Sequence, residues 1–390
     1  MNSRERFAQE LQALRESDHY RERSPICGPQ GTHVVTRDQS LLSFCSNDYL
    51  GLANHPLVVD AFANATRCYG VGSGASQLIS GYTEIHEKLE EQLAAFFRYP
   101  RVVLFSTGYM ANLAVINLFK TPHTRLVHDR LNHASLLDAT QLASIPIRRY
   151  QHCDVNHAEK LLCTEEEAEK VLVTEGVFSM QGTIAPLPEL TSVADKTRAM
   201  LVVDDAHGVG VLGKAGRGST EFTKLDANRV PILVGTFGKA FGTFGAFVAC
   251  DEVTAEYLIQ KSRSLIYTTA PPAAIAAATS ASLKIIKTQP ERREKIRALI
   301  SLWQKRMSDS DLMILRSQTP IQGVLLKTSS RALYFSQKLR ELDILVSPIR
   351  PPTVAKDTAR LRVTLCATHQ EQDVLKLADA LDRIAASETK

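Results

Sequence analysis

From about residue 100 onward, short apolar runs alternate with stretches in which apolar residues recur every three to four positions. The runs at 102–105, 125–128, 171–174, 200–204, 232–236 and 245–250 have strand length, and 111–119 and 187–196 have helical spacing between them. Unbroken Val, Ile and Leu strands separated by helices predict a mainly parallel sheet covered on both faces. Upstream, Ile85, Leu89, Leu93 and Phe96 recur at helical spacing behind Glu87, Lys88 and Glu91, and 57–69 reads as another helix. Beyond Pro271 the texture changes. A small-residue helix at 273–282 leads into a charged one at 291–306. Strand-like 323–326, a helix at 330–342, strand-like 344–346 and 360–365, and a closing helix from Gln370 follow. The expectation is an α/β chain in three parts: an N-terminal arm with a small strand pair (1–45), a large domain (46–274) and a smaller α+β domain (275–390).

Composition narrows this only slightly. Hydrophobic residues make up 44% of the 390, enough for a sizeable core, which excludes disorder over most of the length. The 46 basic and 42 acidic residues leave +4 without long like-charge blocks, so the concentrated basic stripe of a nucleic-acid binder is missing. Seven scattered cysteines with no CxxC pair indicate neither a disulfide framework nor a zinc ribbon. The charged opening lacks a secretory apolar core, and no apolar run approaches the ~18 residues of a membrane span. The chain is expected to be cytoplasmic.

Four candidate sites lie at strand ends, where parallel α/β sheets collect their ligands. Met200-Leu-Val-Val-Asp-Asp-Ala-His207 ends an apolar run in Asp204, with His207 three residues on. An acid there can fix a protonated ring nitrogen, although capping of the next segment explains an aspartate equally well. Val234-Gly-Thr-Phe-Gly-Lys239-Ala-Phe-Gly sets a lysine among small residues at another strand end, where a partly desolvated amine can form a Schiff base. Leu233 and Ala240 exclude a Walker A loop. Phe105-Ser-Thr-Gly-Tyr-Met-Ala-Asn112 turns a strand into a helix whose first amides, at Gly108 and Tyr109, make an anion site. His133 follows the next strand.

Two other patterns are decoys. Gly70-Val-Gly-Ser-Gly-Ala75 fits a dinucleotide fingerprint but follows a helix rather than a strand. His152, Cys153 and His157 lack zinc-site spacing, and their neighbours Asp154 and Asn156 suggest a solvated loop, so no metal is expected. Anion site, histidine, ring-nitrogen acid and lysine in this order suit one cofactor, pyridoxal 5′-phosphate, which is held by its phosphate, ring nitrogen and aldehyde.

With these blocks in place, the chain resembles the α-oxoamine synthases, pyridoxal-phosphate enzymes of the aspartate-aminotransferase-like fold (fold type I). Ser46-Asn-Asp-Tyr-Leu-Gly-Leu52, Gly72-Ser-Gly-Ala-Ser76, Thr174-Glu-Gly-Val-Phe-Ser-Met180 and Thr236-Phe-Gly-Lys239 carry the likeness over essentially the whole length. Ile349-Arg-Pro-Pro-Thr-Val354, with Tyr20-Arg21, resembles the branch that condenses L-alanine with a pimeloyl thioester in biotin biosynthesis. Sister branches use glycine or serine. Ala355 departs from the family, which often has proline there, and Tyr109 stands where many relatives carry Phe.

The resemblance implies roles residue by residue. Lys239 binds the cofactor covalently and removes the substrate's α-proton; Asp204 pairs with the ring nitrogen; His207 and Ser179 reach the ring hydroxyl oxygen. His133 stacks on the ring and handles protons, while Gly108, Tyr109 and Thr236 hold the phosphate. Arg362 takes the substrate carboxylate, by resemblance alone, because Arg360 shares its side of a regular strand. Asn47 and Thr353 neighbour the substrate, and Arg21 meets the acyl chain. The likeness also implies a homodimer with Tyr267-Thr-Thr269 crossing to the partner, and an acyl group carried on coenzyme A or an acyl-carrier protein.

Overall fold

The computed structural model describes residues 2–164 and 168–388. The chain divides into two compact units. The larger comprises Asp48–Ser179 and Thr183–Glu294; the smaller comprises Met1–Asn47, Met180–Gly182 and Lys295–Lys390.

The larger unit is built on a seven-stranded sheet: β1 (Arg101–Phe105), β2 (Thr124–Asp129), β3 (Ile147–Tyr150), β4 (Glu169–Glu175), β5 (Met200–Asp204), β6 (Ile232–Thr236) and β7 (Ala246–Cys250). Their spatial order is β1-β7-β6-β5-β4-β2-β3. Only β7 runs against its neighbours, antiparallel to both β1 and β6. The five central and edge strands β3, β2, β4, β5 and β6 are parallel, and their carboxyl ends lie along one side. The interior strands β4 to β7 are almost wholly buried, which is why they read as unbroken apolar runs. β3 left no such signal: Ile147, Arg148 and Arg149 are exposed, and backbone pairing to β2 makes this edge a strand.

Helix starts follow local capping. Thr107 caps Gly108–Leu118 by accepting from the Met110 amide, and His133 caps Ala134–Ala143. Residues 152–157 differ from the expected solvated loop, because Asp154 accepts the His157 amide and starts the helix Val155–Leu162. The helix Ala273–Thr288 lies within the larger unit. Its alanines allow close packing on Pro56–Tyr69 and Glu84–Phe97, so the change of texture at 271 does not coincide with the division near 294.

In the smaller unit, Ile321–Lys327 and Ala359–Thr364 pair antiparallel between Met313–Leu315 and Ser347–Ile349. The arm's hairpin, His33–Val35 with Ser40–Ser43, gains Ile344–Leu345 as a parallel third strand. His369 fastens the arm to this unit. Its Nε2 lies 3.0 Å from the Ser43 carbonyl, its Nδ1 accepts from the Cys366 amide, and its ring stacks on Phe44 at 4.4 Å. Burial lowers the proton affinity of this imidazole, consistent with the neutral form these bonds require.

Candidate active site

The larger unit places Gly108, Tyr109, His133, Ser179, Asp204, His207, Thr236 and Lys239 at or just beyond the carboxyl ends of β1, β2, β4, β5 and β6. Asp204 is the last residue of β5 and stands level with Glu175, the last of β4. Its Oδ1 accepts the Ala206 amide at 3.0 Å, so part of the expected capping role is real. Its Oδ2 accepts from Asn112 Nδ2 at 2.7 Å. Lys239 lies in the turn after β6, half-buried, and its charge is felt at Glu175, Asp205 and His133.

The helix Gly108–Leu118 begins beside this group. The amides of Gly108 and Tyr109, its first two, have no backbone acceptor among the described residues and carry the positive end of the helix dipole. A Cβ on Gly108 would lie 3.9 Å from Thr236 Oγ1, so a hydroxyl and two amides share one recess. The Tyr109 ring turns away to give its hydroxyl to Asp138 at 2.7 Å, leaving the backbone as its contribution to the recess. The two amides fit a phosphate, and the Thr236 hydroxyl, which here donates to the Gly245 carbonyl at 2.9 Å, would turn from it to join them. Across the sheet ends, a carboxylate, a lysine and a histidine fit the other handles of a phosphorylated pyridine aldehyde.

Four residues of the site were not singled out from the sequence. Tyr49 places its hydroxyl 2.6 Å from His207 Nδ1 and so sets the orientation of that ring. Asn112 joins Asp204 to Ser135. Glu175 is buried, with Oε2 accepting the Ser179 amide at 3.3 Å and the His133 amide also within its reach. Burial first, and then Asp204, raise the Glu175 carboxyl well above the usual carboxylate range against the opposing charge of Lys239. An acid at the end of an apolar run was the available signal for Glu175, the same signal that exposed Asp204.

Asp205 is the fourth. Its side chain turns into the protein, where Oδ2 accepts the Ser219 amide at 2.7 Å. A Cβ at Gly176, Gly208 or Gly218 would come within 2.2, 2.1 or 2.0 Å of that carboxyl, so three glycines make its chamber. Burial raises it from 3.8 to about 7. The folded state therefore keeps a proton that the unfolded chain has already released, and stability should fall as pH rises from 3.8 towards about 7 and then level off. Asp205→Asn is expected to flatten this stretch in urea midpoints measured from pH 3.8 to about 7; an unchanged slope would assign it to other groups.

The smaller unit brings the remaining expected residues together in pairs. Arg362 Nη1 donates to Asn47 Oδ1 at 3.1 Å and to Thr364 Oγ1 at 3.0 Å. Among the described residues, Arg360 Nε donates to the nearby Thr358 carbonyl at 2.9 Å and to no other group. The two arginines are equally buried and differ in their polar neighbours. Arg21 Nη2 donates to Thr353 Oγ1 at 3.2 Å.

His152 and Cys153 gather around Asp129, with His152 Nδ1 3.1 Å and the Cys153 amide 2.8 Å from its carboxylate oxygens. His157 is elsewhere, accepting the Gln151 amide. Asp129 also takes the Leu131 amide, so the cluster reads as the anchor of a turn.

The family model for class I and II aminotransferases matches residues 39–381. The 8-amino-7-oxononanoate synthase of Nitrosococcus oceani is 48% identical over 375 residues, which span 96% of this chain and 100% of the relative. The chain belongs to the 8-amino-7-oxononanoate synthases within the class I and II aminotransferase family. The synthase of that name from Saccharophagus degradans is 46% identical over 98% of this chain and 97% of its own. Among solved structures, the serine palmitoyltransferase of S. paucimobilis, with a PLP–myriocin aldimine bound, superposes with a TM-score of 0.93 at 28% identity, covering 99% of both chains. The 8-amino-7-oxononanoate synthase of Francisella tularensis gives 0.79 at 31% identity, covering 90% of this chain and 99% of that one. Fold similarity ranks the palmitoyltransferase higher, whereas sequence identity places the chain with the oxononanoate synthases. Fold is shared across chemistries, so the identity carries the assignment.

Proposed function

We propose that this oxononanoate synthase family member binds pyridoxal 5′-phosphate and condenses L-alanine with a pimeloyl thioester. The products are 8-amino-7-oxononanoate, carbon dioxide and the carrier thiol, and the reaction is a step of biotin biosynthesis. The observation that carries the cofactor is the placing of Asp204, Lys239 and two helix amides with no backbone acceptor among the described residues at the same end of one sheet. Gly108, Tyr109 and Thr236 would hold the phosphate, Asp204 the ring nitrogen, His207 and Ser179 the ring hydroxyl oxygen, and His133 a ring face. Bound there, the cofactor supplies an electron sink for the bond broken at the alanine Cα. Lys239 would hold the cofactor's aldehyde carbon, and its Nζ as a free amine would take the Cα proton. Asp204 keeps a proton on the ring nitrogen. Arg362, oriented by Asn47, holds the alanine carboxylate through two parallel N–H bonds.

A second guanidinium supports the choice of acyl donor. Arg350 Nη1 donates to the Asp18 carbonyl, and its Nη2 lies 3.4 Å from the Tyr20 carbonyl, which sets it beside Arg21. Burial first, and then the Arg21 charge, lower the proton affinity of Arg350. Neither arginine forms an ion pair among the described residues, so the pair suits an incoming carboxylate. Arg362 is registered with Ser347, three residues before Arg350, which is an offset of ~10 Å along a strand. The alanine carboxylate and the far pimeloyl carboxylate are eight carbon–carbon bonds apart, and at about 1.5 Å per bond the extended zigzag spans on the order of 10 Å. Arg350→Met is expected to raise KM for pimeloyl-coenzyme A by roughly tenfold or more without changing KM for alanine, since a hydrogen bond to a charged group is lost. An equal KM for the variant would remove Arg350 from the acyl site. Purified protein loaded with cofactor should release thiol from pimeloyl-coenzyme A only when alanine is supplied. Preference for serine with a long monocarboxylic acyl donor would move it to the palmitoyltransferase branch.

The assembly proposed is a homodimer. Val71, Ile79 and Tyr267 of the larger unit are 84%, 79% and 70% exposed, and a second copy would cover these apolar side chains. Sedimentation should then give twice the 43.0 kDa chain mass, and a monomer would refute it. Coenzyme A and an acyl-carrier protein both remain as carriers. A cytoplasmic location is proposed with support from the cysteines, which form no disulfide among the described residues. No described helix is long and apolar enough to cross a membrane.

A further inference from the structure

His133 is joined to Asp204 by hydrogen bonds whose directions leave little freedom. Asn112 has one amide nitrogen with two N–H groups. One points to Asp204 Oδ2 at 2.7 Å and the other to Ser135 Oγ at 2.8 Å. An amide nitrogen only donates, so Ser135 Oγ is the acceptor of that bond and its own hydrogen is available for a further partner. That partner is His133 Nδ1, at 2.7 Å. The Ser135 backbone amide, 3.2 Å away, addresses the same ring nitrogen because His133 caps the helix Ala134–Ala143. Two donors converge on Nδ1. We propose that Asn112 and Ser135 are positioning residues that commit His133 to the neutral tautomer with its proton on Nε2.

The inference rests on reading His133 as the histidine that faces the cofactor ring. The consequence is directional. With Nδ1 occupied, the imidazole offers its ring face and one N–H, and a proton cannot settle on Nδ1 without breaking two bonds. The charges around the ring are Asp204, Asp138 and Lys239, with Glu175 below its backbone amide. Desolvation lowers the proton affinity of His133; Asp204 and Asp138 oppose this and Lys239 adds to it. Asn112 and Ser135 are themselves buried, at 1% exposure each, so bulk water does not compete for the chain of bonds.

The test reads the imidazole rather than turnover. In protein labelled with 15N-histidine and loaded with pyridoxal 5′-phosphate, the His133 resonances are those lost in His133→Gln. The wild type should show the proton on Nε2. Ser135→Ala removes one of the two Nδ1 donors and should raise the His133 proton affinity about tenfold, one unit of pKa. Ser135→Thr, which restores a hydroxyl, should return it to the wild-type value, with the acid limb of the kcat profile moving in parallel. Asn112→Ala should shift His133 in the same direction and supplies the comparison if Ser135→Ala does not fold. A wild-type His133 with its proton on Nδ1, or an unshifted titration in both variants, overturns the proposal. Failure to use alanine or pimeloyl-coenzyme A would instead strike the functional reading and leave the tautomer result standing.

Discussion

Lys239→Ala should lose turnover by a factor of at least ~10⁴, because in the proposed mechanism one nitrogen would serve as both covalent anchor and proton acceptor at Cα. The turn does not depend on that side chain. The Lys239 carbonyl accepts the Gly242 amide at 2.8 Å, and the Thr243 amide returns to the Phe237 carbonyl at 2.9 Å. Gly242 has φ +66°, and a Cβ there would lie 2.3 Å from the Ala53 amide nitrogen, so backbone contacts hold the loop. The variant should therefore fold with a Tm close to wild type. It should bind pyridoxal 5′-phosphate reversibly, without the visible absorption of a covalent link. Thiol release from pimeloyl-coenzyme A in the presence of alanine is the measurement. A variant keeping more than about a hundredth of wild-type turnover would assign the proton transfer to another base.

Asp204→Asn is the second large effect expected, a fall in kcat of roughly 10² to 10³. The substitution keeps the size of the side chain and can keep an oxygen facing Asn112. What it removes is the negative charge that, in the proposed mechanism, would hold a proton on the ring nitrogen of the bound cofactor. That charge sits at a strand end in a largely buried place, where a lost ion pair is costly. Cofactor affinity should weaken as well, read by fluorescence titration of apoprotein. Alanine KM should move little if, as proposed, Arg362 takes the alanine carboxylate. A variant with near-normal kcat would show that the carboxylate caps β5 and does no more.

The Asp204 and Lys239 segments were readable because local sequence determines them. An apolar run ends where its strand leaves the core, and a lysine among glycines marks a tight turn. The same holds for the start of the helix at Gly108, where Thr107 is a local cap. Boundaries for β5 and β6 coincide with the apolar runs that predicted them. The edge strand Ile147–Tyr150 was not readable, since an exposed strand needs only a neighbour's backbone and leaves no burial pattern.

The sequence by itself determined which residue types stand at which strand ends, and its likeness to a family supplied their roles. Tertiary structure decided which of those residues meet. Asn112 bonds Asp204 across 92 positions of sequence, and Arg362 reaches Asn47 across 315. Sheet order and strand register bring such pairs together, and hydrophobic periodicity records only which face of an element is buried. For the same reason the distinction between Arg360 and Arg362, the company of Arg350 with Arg21, and the direction of the bonds from Asn112 to His133 appear only in the folded chain.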